Sequence, residues 1–163
     1  MTRTVTHTVT TGAATTSTTT ASAAPCQASD MSASFAAEPG SAGAGNIVYK
    51  LTLTNTSSSP CTVGGLPQVQ LQDSNHKNLP TKGTAQFPGA NEPVVTVAPS
   101  GTAISEARFS PDVNGVGESS NPCEPKAYVL VVSLGGGTVS ANIDPPTSVC
   151  SHGQLQLTTY SAP

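Results

Sequence analysis

The chain reads as an all-β protein, an immunoglobulin-like antiparallel β-sandwich of about seven to eight strands with almost no helix. Three observations predict it. Short apolar-polar alternations recur along the chain, Gly/Pro/Asn/Ser turn signals separate them, and no stretch has the 3.6-residue period of an amphipathic helix. The clearest alternation is Ile47–Thr54, which puts Ile47, Tyr49, Leu51 and Leu53 on one face and Lys50, Thr52 and Thr54 on the other. A period of two is the mark of a strand with one wet face.

The elements follow in order. Asp30–Ala36 is a weak strand with Met31, Ala33 and Phe35 on one side. A Gly-rich turn over residues 38–45 leads into Ile47–Thr54, which ends at Asn55-Thr56-Ser57-Ser58-Ser59-Pro60, where local side-chain bonding and a missing N–H stop the ladder. Gly64-Gly65 then redirects the chain into a strand over Leu66–Asp73 that can lie beside the first. Ser74–Pro93 is a long polar loop containing Pro80, Pro88 and Pro93. Val94–Val97 and Thr102–Phe109 are strands joined by the turn Ala98-Pro99-Ser100-Gly101. Ser110–Pro125 is a second loop. Ala127–Leu134 is nearly continuous in β-formers, as a central strand is. Gly135-Gly136-Gly137 turns it into Thr138–Ile143, Asp144-Pro145-Pro146 breaks that strand, and Gln154–Tyr160 is the last one.

Composition narrows the function. Charged residues make up 9% of the 163, the net charge is −3 and the six basic residues do not cluster in sequence, which argues against nucleic acid or an anionic membrane as partner. Aromatics are 4% and Trp is absent, so the core rests on Val, Leu, Ile and Ala, and covalent staples would help it. Residues 1–25 are a Thr/Ala/Ser-rich leader or linker, expected to be disordered because it has nothing to bury. The folded domain is residues 26–163. The leader lacks the apolar run of a signal peptide, and nowhere does the chain carry a membrane span.

Four cysteines, Cys26, Cys61, Cys123 and Cys150, are even in number and have no C-x-x-C spacing, which favours two disulfides over zinc. Disulfides place the chain outside the cytoplasm, secreted or in the cell envelope. Strand direction suggests the pairing. Cys26 opens a strand, the next strand returns, and Cys61 follows it; Cys123 and Cys150 bracket a second out-and-back pair. Cys26–Cys61 with Cys123–Cys150 is therefore expected, and Cys26–Cys150 with Cys61–Cys123 is the alternative. Each loop of roughly 30 residues would stabilise by about 3–4 kcal/mol.

The run Tyr49–Ser57 with Pro60-Cys61-Thr62-Val63-Gly64-Gly65-Leu66-Pro67, the strand-turn-strand Val95–Ser105 and the late Val149-Cys150-Ser151-His152-Gly153-Gln154-Leu155 carry a family likeness. Together they resemble a domain of unknown function, DUF4232, of secreted proteins and lipoproteins of actinobacteria. The likeness spans Cys26 to about Tyr160. It departs from the pattern at Val63, at Leu66 and at Ala98-Pro99-Ser100-Gly101, none of which threatens a fold. The resemblance implies export and an Ig-like domain, and supplies no catalytic residues.

No residue set has the layout of a catalytic site, metal centre or cofactor cradle. Asp73-Ser74-Asn75-His76 brings an acid, a hydroxyl and an imidazole together, but adjacent residues read as a turn, whereas triads assemble from distant segments. Gly135-Gly136-Gly137 lacks a following helix and is a hairpin turn. Asn55-Thr56-Ser57 fits a glycosylation sequon, but Asn55 reads as a side-chain cap on its strand end. His7, His76 and His152 are scattered, and with two methionines they make a poor case for metal delivery. The expected function is thus a non-enzymatic, monomeric secreted or envelope module that binds an envelope or extracellular ligand, or is structural. Its loops Ser74–Pro93 and Ser110–Cys123 are the natural binding surface. The alternative is a secreted hydrolase or accessory domain acting on cell-wall polymer, which a carboxylate cluster and a deep pocket would favour.

Overall fold

A computed structural model describes residues 22–118 and 121–163. The leader expected over residues 1–25 lies outside the described residues except for its last four. Those four are not free of the domain: Thr62 N–H donates to the Ala24 carbonyl and Cys26 N–H to that of Thr62, 2.9 Å each.

Ten strands form among the described residues: β1 Met31–Ala37, β2 Ile47–Asn55, β3 Cys61–Gly64, β4 Gln68–Gln72, β5 Lys82–Ala85, β6 Val94–Val97, β7 Thr102–Phe109, β8 Ala127–Leu134, β9 Gly137–Thr147 and β10 Gln154–Leu157. Eight of them make one sheet in the order β4-β8-β9-β1-β2-β7-β10-β5, and β3 pairs with β6 in a small second one. The large sheet curls so that its two edges nearly meet. Leu79 N–H donates to the Leu71 carbonyl at 2.9 Å, and Thr81 Oγ1, just ahead of β5, accepts from Leu71 N–H on β4 at 2.9 Å.

The structure corrects the expected layout in five places. The sheet is mixed, not antiparallel throughout, because β9–β1 and β10–β5 pair in parallel. Each of these pairs joins segments far apart in sequence, so no hairpin dictates their direction. Cys61–Gly64, read as chain leading into a turn, is a strand, and Lys82–Ala85 is a strand inside the expected Ser74–Pro93 loop. β4 lies against β8, not β2, whose neighbours are β1 and β7. Finally, Asp144-Pro145-Pro146 does not end its strand. Val129 pairs with Asn142 and Ala127 with Thr147, so residues 143–146 bulge opposite Tyr128. A bulge leaves backbone outside the ladder, and there a proline without an N–H costs no ladder bond.

From Tyr49 on, the alternation in β2 is as the sequence predicts: Tyr49, Leu51, Leu53 and Asn55 are buried and the residues between them are half-exposed, while Ile47 at the strand's start is only partly buried against the core. Tyr49 stacks between Phe35 and Phe109, with ring centroids 5.2 and 5.1 Å away, so the three phenylalanine and tyrosine rings of β1, β2 and β7 meet. Its hydroxyl donates to the Pro145 carbonyl at 2.8 Å and ties β2 to the β9 bulge. Burial raises the Tyr49 pKa, so the hydroxyl stays a donor. Leu51 is fully buried. Leu51→Ala is expected to destabilise by about 2–5 kcal/mol. Thr52→Ala, on the half-exposed face, should cost far less, and equal melting temperatures for the two would show the register to be wrong.

Both disulfides have the pairing that strand direction suggests. Cys26–Cys61 has a Cα separation of 4.8 Å and Cys123–Cys150 one of 5.4 Å. They lie at opposite ends of the sheet. Cys26–Cys61 is beside the start of β1 and the close of β2, while Cys123–Cys150 is beside the close of β7, where Cys150 N–H donates to the Ser110 carbonyl at 2.9 Å. Two such bonds point to an oxidising, extracytoplasmic environment.

Candidate functional site

The strand directions gather four connections at the end of the sheet where β2 begins and β7 finishes. These are the β1–β2 turn, the chain from Asp73 to Thr81, the loop from Ser110 to Pro125, and the turn Cys150–Gly153. The Ser74–Pro93 segment, expected to act as one surface, is therefore divided. β5 runs through it, so residues 74–81 sit at this end and residues 86–93 at the other.

The Asp73-Ser74-Asn75-His76 group is a turn, as its spacing suggests. Asp73 Oδ1 accepts the N–H groups of Asn75 and Lys77 at 2.8 and 2.9 Å, and His76 N–H donates to the Asp73 carbonyl at 3.1 Å. Asn55 is likewise a cap, and a fully buried one. Its Nδ2 donates to the carbonyls of Ser59 and Val97 at 2.8 and 3.0 Å, and its Oδ1 accepts Ser57 N–H and Oγ–H at 2.9 and 2.8 Å. The sequon amide is consumed inside the fold. His7 lies outside the described residues.

What sequence reasoning missed is Glu118. Its side chain is 2% exposed and fastens two distant segments together. One oxygen accepts the N–H groups of Gly115 and Ser151 at 2.5 and 3.0 Å, and the other accepts that of His152 at 2.6 Å. Ser151 and His152 reach this arrangement only by adopting left-handed backbone, φ 57° and 58°. Successive N–H groups in such a turn form a concavity for an anion, and here the anion is the chain's own carboxylate. Gly115 approaches so closely that a Cβ there would lie 2.7 Å from Ser151 Cα. The His152 ring, largely exposed, stands over the site with Nδ1 3.4 Å from a Glu124 oxygen and 3.9 Å from Glu118.

The donors of Glu118, Glu124 and His152 fall within 4.8 Å of one another, so they are the described residues best placed to hold a cation. Both Glu118 oxygens are already engaged by backbone, however, and a metal would have to compete with those bonds. A signal for part of this cluster was present in the sequence. Glu124 follows Cys123 and His152 is two residues from Cys150, so the second disulfide draws them together. Nothing local announced Glu118.

The N–H groups of His152, then those of Gly115 and Ser151, hold the Glu118 pKa below the ordinary carboxylate range against the opposing effect of burial. A depressed folded-state pKa contributes stability that is complete above the unfolded value. It is lost as pH falls through the folded one. Glu118→Gln should therefore lower the melting temperature at neutral pH, because its amide would turn donors toward donors. The gap between the two proteins should narrow as pH drops below about 4.3. A gap that stays constant down to acid pH would show that the carboxylate charge is not what holds the loop.

The family model described as "Domain of unknown function (DUF4232)" matches residues 26–161. The chain belongs to this family. The DUF4232 match begins at the first disulfide cysteine and takes in both disulfides, Asn55 and the Glu118 fastening. No curated protein and no solved structure matches the chain. Among the described residues of this DUF4232 domain no helix is long and apolar enough to cross a membrane.

Proposed function

We propose that this domain is a non-enzymatic, monomeric module on an immunoglobulin-like frame, secreted or held in the cell envelope, that binds an extracellular or envelope component through the Ser110–Glu118 loop. The observation that carries the reading is Val116, 99% exposed in a loop with hydrogen-bonded anchors on both sides. Val113, three residues earlier in the loop, is 54% exposed. Ser110 Oγ braces Val113 by accepting its N–H at 2.9 Å, and Glu118 fixes the far side of the loop. An apolar tip on a pre-organised loop loses little entropy when it is covered. Export is supported by the two disulfides.

The test is co-sedimentation of the purified protein with peptidoglycan sacculi and with envelope membranes. Saturable binding that a Val113→Ser/Val116→Ser variant loses, with its melting temperature intact, is the expected result. Equal sedimentation of the two proteins, or none from either, overturns the reading.

The Glu118–Glu124–His152 cluster favours the second reading, a secreted hydrolase acting on wall polymer. A general acid needs a carboxyl that keeps its proton near neutrality, and Glu118 is pushed the other way. Release of soluble sugar from sacculi, abolished by Glu124→Gln, would establish this alternative in place of the first.

A further inference from the structure

A cleft of about 160 Å³ opens beside the Glu118 fastening, lined by Asn46, Arg108, Ser110, Ser151, Gln154 and Gln156. Its chemistry follows from strand register. Arg108 on β7 is directly opposite Gln156 on β10, and Gln154 on β10 is directly opposite Lys82 on β5. Directly opposed residues, and residues two apart on a strand, share a face. Arg108, Gln156 and Gln154 therefore share the outer face at the cleft, and Lys82 is on the same face one strand further on, outside the cleft's lining and offset by two residues from the Arg108–Gln156 pair.

That face is unusual for this chain. Only six of its residues are basic and its net charge is −3, yet two of the six flank two glutamines here. Among the described residues, the side chains of Arg108, Lys82, Gln154 and Gln156 have no hydrogen bond or ion pair within the protein. The acid nearest in register is Glu106, two residues from Arg108 on the same face. It is directly opposite Lys50, which is ion-paired with Glu38. The donors of this face are thus not consumed by the fold.

We infer that the Arg108–Gln156–Gln154 cleft, with Lys82 beyond its edge, is a binding site for an acidic saccharide, a sugar carrying a carboxylate. The guanidinium is a planar fork that takes a carboxylate through two parallel hydrogen bonds, and Lys82, outside the cleft on the adjoining strand, adds positive potential at its edge. Each glutamine amide offers two N–H donors and a carbonyl acceptor, which suits hydroxyl groups that both give and accept. The small volume fits one sugar unit, well under the 300–1,000 Å³ of sites that enclose drug-sized ligands. The inference goes beyond the loop-tip reading and assigns a second, separate surface with its own ligand class. It stands on the strand register and not on the Ser110–Glu118 tip.

The experiment is an NMR titration of the full chain, following the Arg108 Nε–H and the Gln154 and Gln156 side-chain amides. The probes are D-glucuronate, neutral D-glucose and inorganic phosphate. Saturable shifts of all three groups with glucuronate, and none with glucose, are expected. Arg108→Lys should weaken glucuronate binding by about tenfold, through loss of the two-point contact, and Arg108→Gln should abolish it. Arg108 is on the surface, so circular dichroism should show both variants folded. Glucuronate shifts that persist in Arg108→Gln, or an absence of saturation, overturn the assignment. Phosphate shifting Arg108 as strongly as glucuronate does, with the glutamine amides still, marks an adventitious ion only and also overturns it. If sacculi and membranes fail to bind while glucuronate saturates, the envelope reading falls and this site stands.

Discussion

Gly153→Ala is expected to yield no stable native protein. Gly153 has φ +76°, where a side chain is already disfavoured, and a Cβ there would overlap the Pro80 carbonyl oxygen and Thr81 Cα. Those are backbone atoms of the segment that closes β4 against β5, so they cannot swing aside as a side chain would. Relief would need the turn Cys150–Gly153 to move off that segment, and the turn is tethered by Cys123 and by the N–H bonds to Glu118. The loss should exceed about 4 kcal/mol, which puts it among the most damaging single substitutions. Gly40→Ala is the matched control. Its φ is +74°, but nothing lies within 4 Å of the added Cβ, so only left-handed strain of about 1–2 kcal/mol remains. Thermal melts of the two variants separate crowding from strain, and similar melting temperatures would show that the Gly153–Pro80 approach does not matter.

Asn55→Ala should cost about 3 kcal/mol. It strands the Val97 carbonyl in the interior and leaves Ser57 N–H and the Ser59 carbonyl without their partner. The more telling variant is Asn55→Asp, nearly identical in shape. The acceptor toward Ser57 survives, but the donor becomes an oxygen facing two carbonyl oxygens in a site with no solvent exposure. An ionised carboxylate is strongly disfavoured there, so the folded-state pKa of the new Asp is raised. A group with a raised folded pKa costs stability while it is ionised and recovers it as pH falls. Urea melts should therefore find Asn55→Asp less stable than Asn55→Ala at neutral pH, with the order closing or reversing in acid. A pH-independent difference would show that Asn55 acts through packing and not through its amide.

Residues 47–55 show how far local pattern reaches. Alternation identified the buried face of β2 from Tyr49 to Leu53, and Asn55 was legible as a cap because Asn bonds readily to nearby backbone. That Asn55 also occupies the next inward position, and holds β6 through the Val97 carbonyl, was not legible, since the Val97 contact spans 42 residues. The same division separates the disulfides from Glu118. A cysteine carries its own pairing rule, and strand direction then selects the partner. A glutamate in a polar loop carries no such rule, and its three backbone donors come partly from a turn more than thirty residues away.

By itself the sequence determined the all-β class, most of the strands, the disulfide framework and the family, because all of these are written in short-range periodicity, turn chemistry and residue type. Tertiary structure alone decided which strands became neighbours, the two parallel pairings, and the passage of β9 through two prolines. It also decided the placing of Arg108, Gln156, Gln154 and Lys82 on one outer face. Each of these depends on how a curved sheet brings distant edges together, and a strand's own residues specify its inward face far more strongly than the identity of the strand beside it.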